Sequence, residues 1–159
     1  MEFLSNYLKV FGTSMVPVLE LRGALIWAAA DGLDPLVSYI VCVLGNTLPV
    51  PFLILFVRPI FEWMKKHSTF LRKIVEKLEA KAANKADKIK KYEMFGLFLF
   101  VAIPLPGTGA WTGSLIAAVL GMRIKDSLPM IALGVLTAGV IMTLGAFGVV
   151  SFLGTLMNM

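Results

Sequence analysis

The sequence contains few cysteine, histidine and charged residues, and each of these low counts excludes a class of protein. It contains one cysteine and one histidine, and only 16% of its 159 residues are charged. The single cysteine, Cys42, excludes an internal disulfide, and its apolar neighbours predict an inert packing residue. The sequence has no cluster of metal ligands, no nucleophile elbow and no phosphate-binding glycine loop. We therefore expect neither an enzyme nor a metal or cofactor. An intramembrane enzyme is a weak alternative, since the apolar segments carry one Glu and no His or Asp.

Apolar residues are abundant instead. They make up 58% of the chain, and the mean hydropathy is +0.83, which indicates a small integral membrane protein of one all-α domain. Pro35–Val57 would form a helix of about 35 Å, longer than the roughly 30 Å of a hydrocarbon core. Leu128–Phe152 is a second candidate span and is rich in Gly and Thr. Pro49 and Pro51 are expected to kink the first span.

Positive charge is concentrated in one segment. Eleven of the fifteen Lys and Arg residues lie between Arg58 and Glu93, where apolar residues recur at helical spacing. This predicts a basic amphipathic helix over residues 59–93 that lies on an anionic lipid surface, with a docking site for a soluble partner as the alternative. If Arg123 and Lys125 share its side, 13 basic residues face the cytoplasm. The positive-inside rule then predicts a plasma-membrane protein with both termini outside.

The two remaining apolar segments are interrupted halfway. Phe3–Ala30 contains Pro17, and Met94–Gly121 contains the run FVAIPLPGTGAWTG with its prolines and glycines. Each segment could be a kinked crossing or a re-entrant hairpin with arms of about half a bilayer. The re-entrant form is favoured because it places both basic segments on one side.

A shift of 90 residues aligns GALIWAA at 23–29 with GSLIAAV at 113–119. Each half, residues 1–58 and 94–159, would then be a hairpin followed by one span. Because each half crosses the membrane once, the second copy would be inverted relative to the first.

Broken backbone at membrane depth is tolerated only where it is buried in protein or lines a wet cavity. Inverted repeats with broken helices place binding sites near the midplane, so we expect the two hairpins to form one site there. Gly107 and Gly109 would let the backbone approach a ligand, and Thr108 and Thr112 would supply hydroxyls.

Glu20 and Arg22 stand in an apolar run, where charges are costly and are functional candidates by default. An internal salt bridge is the alternative, although residues at i and i+2 do not face each other on a regular helix. Arg22 suits a phosphate group, and Glu20 suits proton exchange. Asn46 in the first span could satisfy a hairpin's broken backbone, but packing glue is the favoured role.

Two stretches, ELRGALI and FVAIPLPGTGAWTGSLIAAVLG, resemble the small multidrug export protein family of prokaryotes. That family in turn resembles the DedA/VTT membrane proteins, which include lipid scramblases and carriers implicated in recycling undecaprenyl phosphate. The resemblance implies paired re-entrant hairpins and movement of an amphipathic or lipid-like substrate. It also implies the following site residues: Glu20, Arg22, Gly23, Pro104, Pro106, Gly107, Thr108, Gly109 and Trp111.

These observations lead us to expect a transporter or flippase that moves an anionic, lipid-like substrate through a midplane site. The first alternative is a proton-coupled small multidrug exporter, in which Glu20 holds the cation or the proton. The second is a membrane scaffold that presents the basic helix. The expected partners are membrane lipids and a small-molecule substrate, with a homodimer left open and no nucleic acid.

Overall fold

The computed structural model describes residues 2–86, 93–105 and 107–157, and the regular elements in these residues are eight α-helices, which confirms the all-α class. The helices are α1 Glu2–Met15, α2 Glu20–Ala30, α3 Pro35–Thr47, α4 Val50–His67, α5 Thr69–Ala86, α6 Glu93–Ala102, α7 Ala110–Leu120 and α8 Ile124–Met157.

The chain divides into two compact units, and each is described by itself. The first unit comprises Met1–Leu48 and Val135–Met159, and the second comprises Pro49–Gly134. Helices α1 to α3 therefore belong to the first unit and α4 to α7 to the second, while α8 contributes to each.

In the first unit, α1 and α3 run side by side in the same direction. The backbone N–H of Asp34, just before α3, donates to the Tyr7 hydroxyl at 3.1 Å. Near the other end of α3, Gly45 packs against Phe11 and Ser14 on α1. Helix α2 returns against both of them. The end of α3 therefore lies level with the turn between α1 and α2.

In the second unit, α6 packs closely through glycines. Val101 on α6 is 1% exposed and lies against Gly113 on α7 and Gly134 on α8. A Cβ at Gly113 would stand 2.7 Å from Val101 Cγ2, and a Cβ at Gly134 would stand 2.6 Å from Val101 Cβ. Small residues of this kind let membrane helices approach closely.

The basic segment corrects our expectation of a single helix over residues 59–93. Helix α4 continues to His67, Ser68 is extended, and α5 begins at Thr69. Lys65 Nζ on α4 lies 2.8 Å from Glu79 Oε1 on α5 and joins the two helices. Helix α5 also packs on α7, so part of its apolar face contacts protein. The end of the expected helix, residues 87–92, lies outside the described residues.

Two stretches are long and apolar enough to cross a membrane, Pro35–His67 and Ile124–Met157. They confirm the two expected spans by length and composition and extend both. The first is broken at Leu48–Pro49, where the prolines predicted a kink. Helices α2 and α7 have 11 residues each and begin 90 residues apart, as the sequence alignment expects. The re-entrant hairpins and the inverted repeat stay predictions.

Candidate functional site

The first hairpin breaks at Val16–Leu19, and Glu20 follows directly as the first residue of α2. Glu20 is 4% exposed, and its φ of 49° is the one positive φ among the described non-glycine residues. Its N–H donates to the carbonyl oxygen of Val16 at 2.8 Å. A left-handed backbone at a non-glycine residue costs about 1–3 kcal/mol, and such costs cluster at functional sites. Glu20 therefore has both an uncommon backbone and a buried acidic side chain.

Arg22 lies in the first turn of α2 and is half-buried. Its guanidinium interacts electrostatically with the Glu20 carboxylate. This supports the expected alternative in which the two charges compensate each other. The next residue, Gly23, lies beneath Leu19, because a Cβ there would stand 3.0 Å from Leu19 Cβ. A packing role for Gly23 is thus visible, whereas its role in binding stays a prediction.

Helix α3 buries two polar side chains, Ser38 near its start and Asn46 at the end that lies level with the hairpin break. Ser38 and Asn46 are fully buried and lie two turns apart on one face. Among the described residues, neither Oδ1 nor Nδ2 of Asn46 has a hydrogen-bond partner, and the same holds for Ser38 Oγ and Thr47 Oγ1. Asn46 therefore makes no hydrogen bond to a hairpin's backbone in the described residues, and its expected role as packing glue stays a prediction. Ser38 was missed, although its spacing of eight residues from Asn46 in an apolar run could have indicated it.

The second hairpin breaks between Ala102 and Ala110, and Thr108 organises the turn. Its Oγ1 lies 2.8 Å from the carbonyl oxygens of both Ile103 and Leu105, and it accepts a bond from the Leu105 N–H at 3.3 Å. The Thr108 N–H also donates to the Leu105 carbonyl at 3.1 Å. These bonds satisfy backbone groups that have no helical partner at the break, so Thr108 has a structural role. Contact of Thr108 with substrate stays a prediction.

Two glycines in this turn adopt conformations that favour glycine. Gly107 has a φ of 77°, and Gly109 has a φ of 126° and a ψ of −174°, in a region used almost solely by glycine. Pro104 is half-buried, and Trp111 and Thr112 are half-buried on the first turn of α7. The expected site residue Pro106 lies outside the described residues.

The far end of α7 carries a contact that the sequence analysis missed. Arg58 Nη2 donates to the Val119 carbonyl at 3.3 Å, and the guanidinium lies beside Gly121, whose φ is 70°. The positive charge and the N–H donors suit the free carbonyls at a helix C-terminus. The sequence indicates Arg58 only as part of the basic segment.

The predicted residues fall into two groups. Glu20, Arg22 and Gly23 belong to the first unit, and the described residues of the Pro104–Thr112 group belong to the second. That the two groups form one site at the bilayer midplane stays a prediction. Within the part of the chain that the structure describes, no group of three His, Cys, Asp or Glu side chains could hold a metal ion.

Comparison with known families supplies the remaining observation. The family described as "Putative small multi-drug export protein" matches residues 20–141, which is 122 of the 159 residues. The chain belongs to this family. The match begins at Glu20 and includes Arg22 and the described part of the second break. No curated protein and no solved structure matches the chain.

Membership of this export family, together with the two long apolar stretches, identifies the chain as a membrane protein and a transporter of small molecules. The expected resemblance to the export family is confirmed. The further relationship to DedA/VTT proteins stays a prediction.

Proposed function

We propose that the protein exports amphipathic organic cations in exchange for protons, with Glu20 as the residue that holds the cation or the proton. One observation carries this proposal: the acidic residue Glu20 is 4% exposed and lies directly at a helix break. A carboxyl group in an apolar setting can hold either a cation or a proton, which is the requirement for exchange. The family description also favours drug export over lipid movement.

The lengths of the helices support a deep position for this residue. Helix α2 has 11 residues, which makes it about 16 Å long, roughly half of a hydrocarbon core. If α1 and α2 form a re-entrant hairpin, Glu20 lies near the bilayer midplane. Cargo from the cytoplasmic leaflet would then meet the carboxylate at the depth where alternating access is usually centred.

The exchange needs two forms of the site. The ionised Glu20 carboxylate binds the cation, and a proton from outside neutralises the carboxyl group and releases the cargo. Each cycle therefore moves one cation out and one proton in. Arg22 interacts with the same carboxylate, so we expect it to hold Glu20 in place when cargo is absent.

A second candidate is movement of an anionic, lipid-like substrate, our first expectation from the sequence. One observation favours it: Arg22 is more accessible than Glu20 and bears the forked guanidinium that phosphate groups prefer. In that case Arg22 binds the cargo, and Glu20 positions Arg22.

Proteoliposomes separate the two candidates. We expect a cationic dye to accumulate against its gradient when a pH gradient is imposed, and Glu20→Gln to abolish this transport. Arg22→Ala should slow it less, and Glu62→Gln, which alters an exposed acid on α4, should leave it unchanged. Loss of phospholipid translocation in Arg22→Ala, with dye transport absent from the wild type, would favour the second candidate. A wild type that moves neither probe would refute both.

The orientation is part of the same proposal. The predicted 13 of 15 basic residues on one side support a cytoplasmic α5 and both termini outside. Arg58, which caps the C-terminus of α7, would then lie near the cytoplasmic boundary.

A further inference from the structure

We propose that Asn46 is a hydrogen-bonding residue of the cargo site, and that the preferred cargo is a protonated amine with at least one N–H donor. The proposal rests on the function proposed above. It starts from one observation, the Asn46 amide, which is 0% exposed and has no hydrogen-bond partner among the described residues.

Stability does not explain this amide. A buried polar side chain without a partner loses its hydrogen bonds to water and gains none in return. An apolar side chain that fits the same space would not suffer that loss. A group that costs stability is expected to be retained for another role, and in a transporter the direct role is contact with cargo.

The amide lies at the level of Glu20. The preceding residue, Gly45, packs against the end of α1, where a Cβ would stand 2.8 Å from the Phe11 carbonyl oxygen and would contact Ser14 Oγ. Two residues after Ser14 the hairpin breaks, and Glu20 begins the returning helix. Asn46 and Glu20 are therefore at the same end of the first unit.

The end of α3 is rich in acceptors. Pro49 and Pro51 have no N–H, so they cannot make the helical hydrogen bonds to the carbonyls of Gly45 and Thr47. Asn46 Oδ1 and Thr47 Oγ1 also have no partner among the described residues. Four oxygens that the helix does not satisfy thus lie at its negative end, where they suit a positively charged N–H donor.

Asn46 is 0% exposed, so cargo has no access to the amide and the structure represents a closed state. Cargo reaches the amide when the packing around the end of α3 opens. A quaternary ammonium ion could still pair with the Glu20 carboxylate, but it has no N–H to donate to Asn46. A preference for protonated amines over their quaternary analogues follows.

Binding measurements on the purified protein in detergent test this inference. The probes are imipramine, a protonated tertiary amine at neutral pH with no other N–H, and its N-methylated quaternary derivative. We expect the wild type to bind imipramine about tenfold more tightly, the effect of one net hydrogen bond to a charged group. Asn46→Leu should reduce this ratio to about one.

Ser38→Ala is the matched control, because Ser38 is also buried and without a partner but lies two turns from the break. It should raise the melting temperature without changing the ratio. A wild type that binds both probes equally would overturn the proposal, even if the Asn46 variant failed to fold. An unchanged ratio of the two affinities in Asn46→Leu would also overturn it. So would a wild type that Na⁺ alone stabilises against unfolding, if Asn46→Leu abolishes that stabilisation. The proposed function has a test of its own: it fails if Glu20→Gln leaves dye transport intact.

Discussion

The contact between Gly113 and Val101 allows a sharp test of the packing in the second unit. A Cβ at Gly113 would stand 2.7 Å from Val101 Cγ2, whereas its next neighbours, on Ile131 and Leu97, would be at 3.7 Å. One methyl group is therefore responsible for the whole clash. Valine has little freedom to rotate in a helix, so the methyl cannot easily move away. Overpacking costs about 1–3 kcal/mol, and alanine regains about 1 kcal/mol of helix propensity. We expect Gly113→Ala to lower the free energy of unfolding by about 1 kcal/mol.

Val101→Ala removes that methyl group and supplies the second arm of a double-mutant cycle. Val101→Ala alone should lower the free energy of unfolding by about 2 kcal/mol because of the cavity that it leaves. Combined with Gly113→Ala it should cost at least about 1 kcal/mol less than the sum, because the clash disappears and the new methyl fills part of the cavity. The free energy of unfolding can be measured by titrating detergent-solubilised protein with sodium dodecyl sulphate.

Gly134 gives the matched contrast. A Cβ there would meet Val101 Cβ at 2.6 Å, Val101 Cγ1 at 2.9 Å and the Phe98 carbonyl oxygen at 3.0 Å, and Val101→Ala removes only Cγ1. The same second substitution should therefore rescue Gly134→Ala much less. Additivity within about 0.5 kcal/mol for the Gly113 pair, or equal rescue at both glycines, would refute the reasoning.

Two further predictions concern the second turn and the orientation. Gly109→Ala should lower the free energy of unfolding by about 1–3 kcal/mol because Gly109 has a φ of 126°. Gly145→Ala should raise it by up to about 1 kcal/mol, because an added Cβ there meets nothing within 4 Å. Equal melting temperatures for the two variants would contradict this prediction. In intact cells, an impermeant maleimide should label Asp31→Cys and not Glu76→Cys, with the buried natural Cys42 as the unreactive background. Labelling of Glu76→Cys alone would reverse the orientation.

The helices and their breaks could be predicted because their causes are local. A proline removes an N–H wherever it stands, so Pro17 and Pro49 indicated two of the interruptions. The prolines and glycines after Phe100 indicated the third. The length of apolar runs is also a local property, and it predicted both candidate spans.

The contacts that complete the structure could not be predicted in this way. The basic segment ends one helix at His67 and starts another because α5 packs on α4 and α7, and residues distant in sequence provide those surfaces. Arg58 caps a helix 61 residues further along the chain. The positive φ of Glu20 and the missing partners of Asn46 likewise depend on how the first unit packs.

The two hairpin breaks differ in how their polar groups are satisfied, and this difference indicates where function is concentrated. At the second break, Thr108 bonds the carbonyls that the turn releases, and glycines occupy the positive-φ positions. At the first break, a glutamate has the positive φ, and the neighbouring end of α3 holds an unpartnered amide at Asn46. Folding alone would favour glycine at the first position and an apolar side chain at the second. We therefore expect variants at the first break to separate transport from stability, and variants at the second to change the two together.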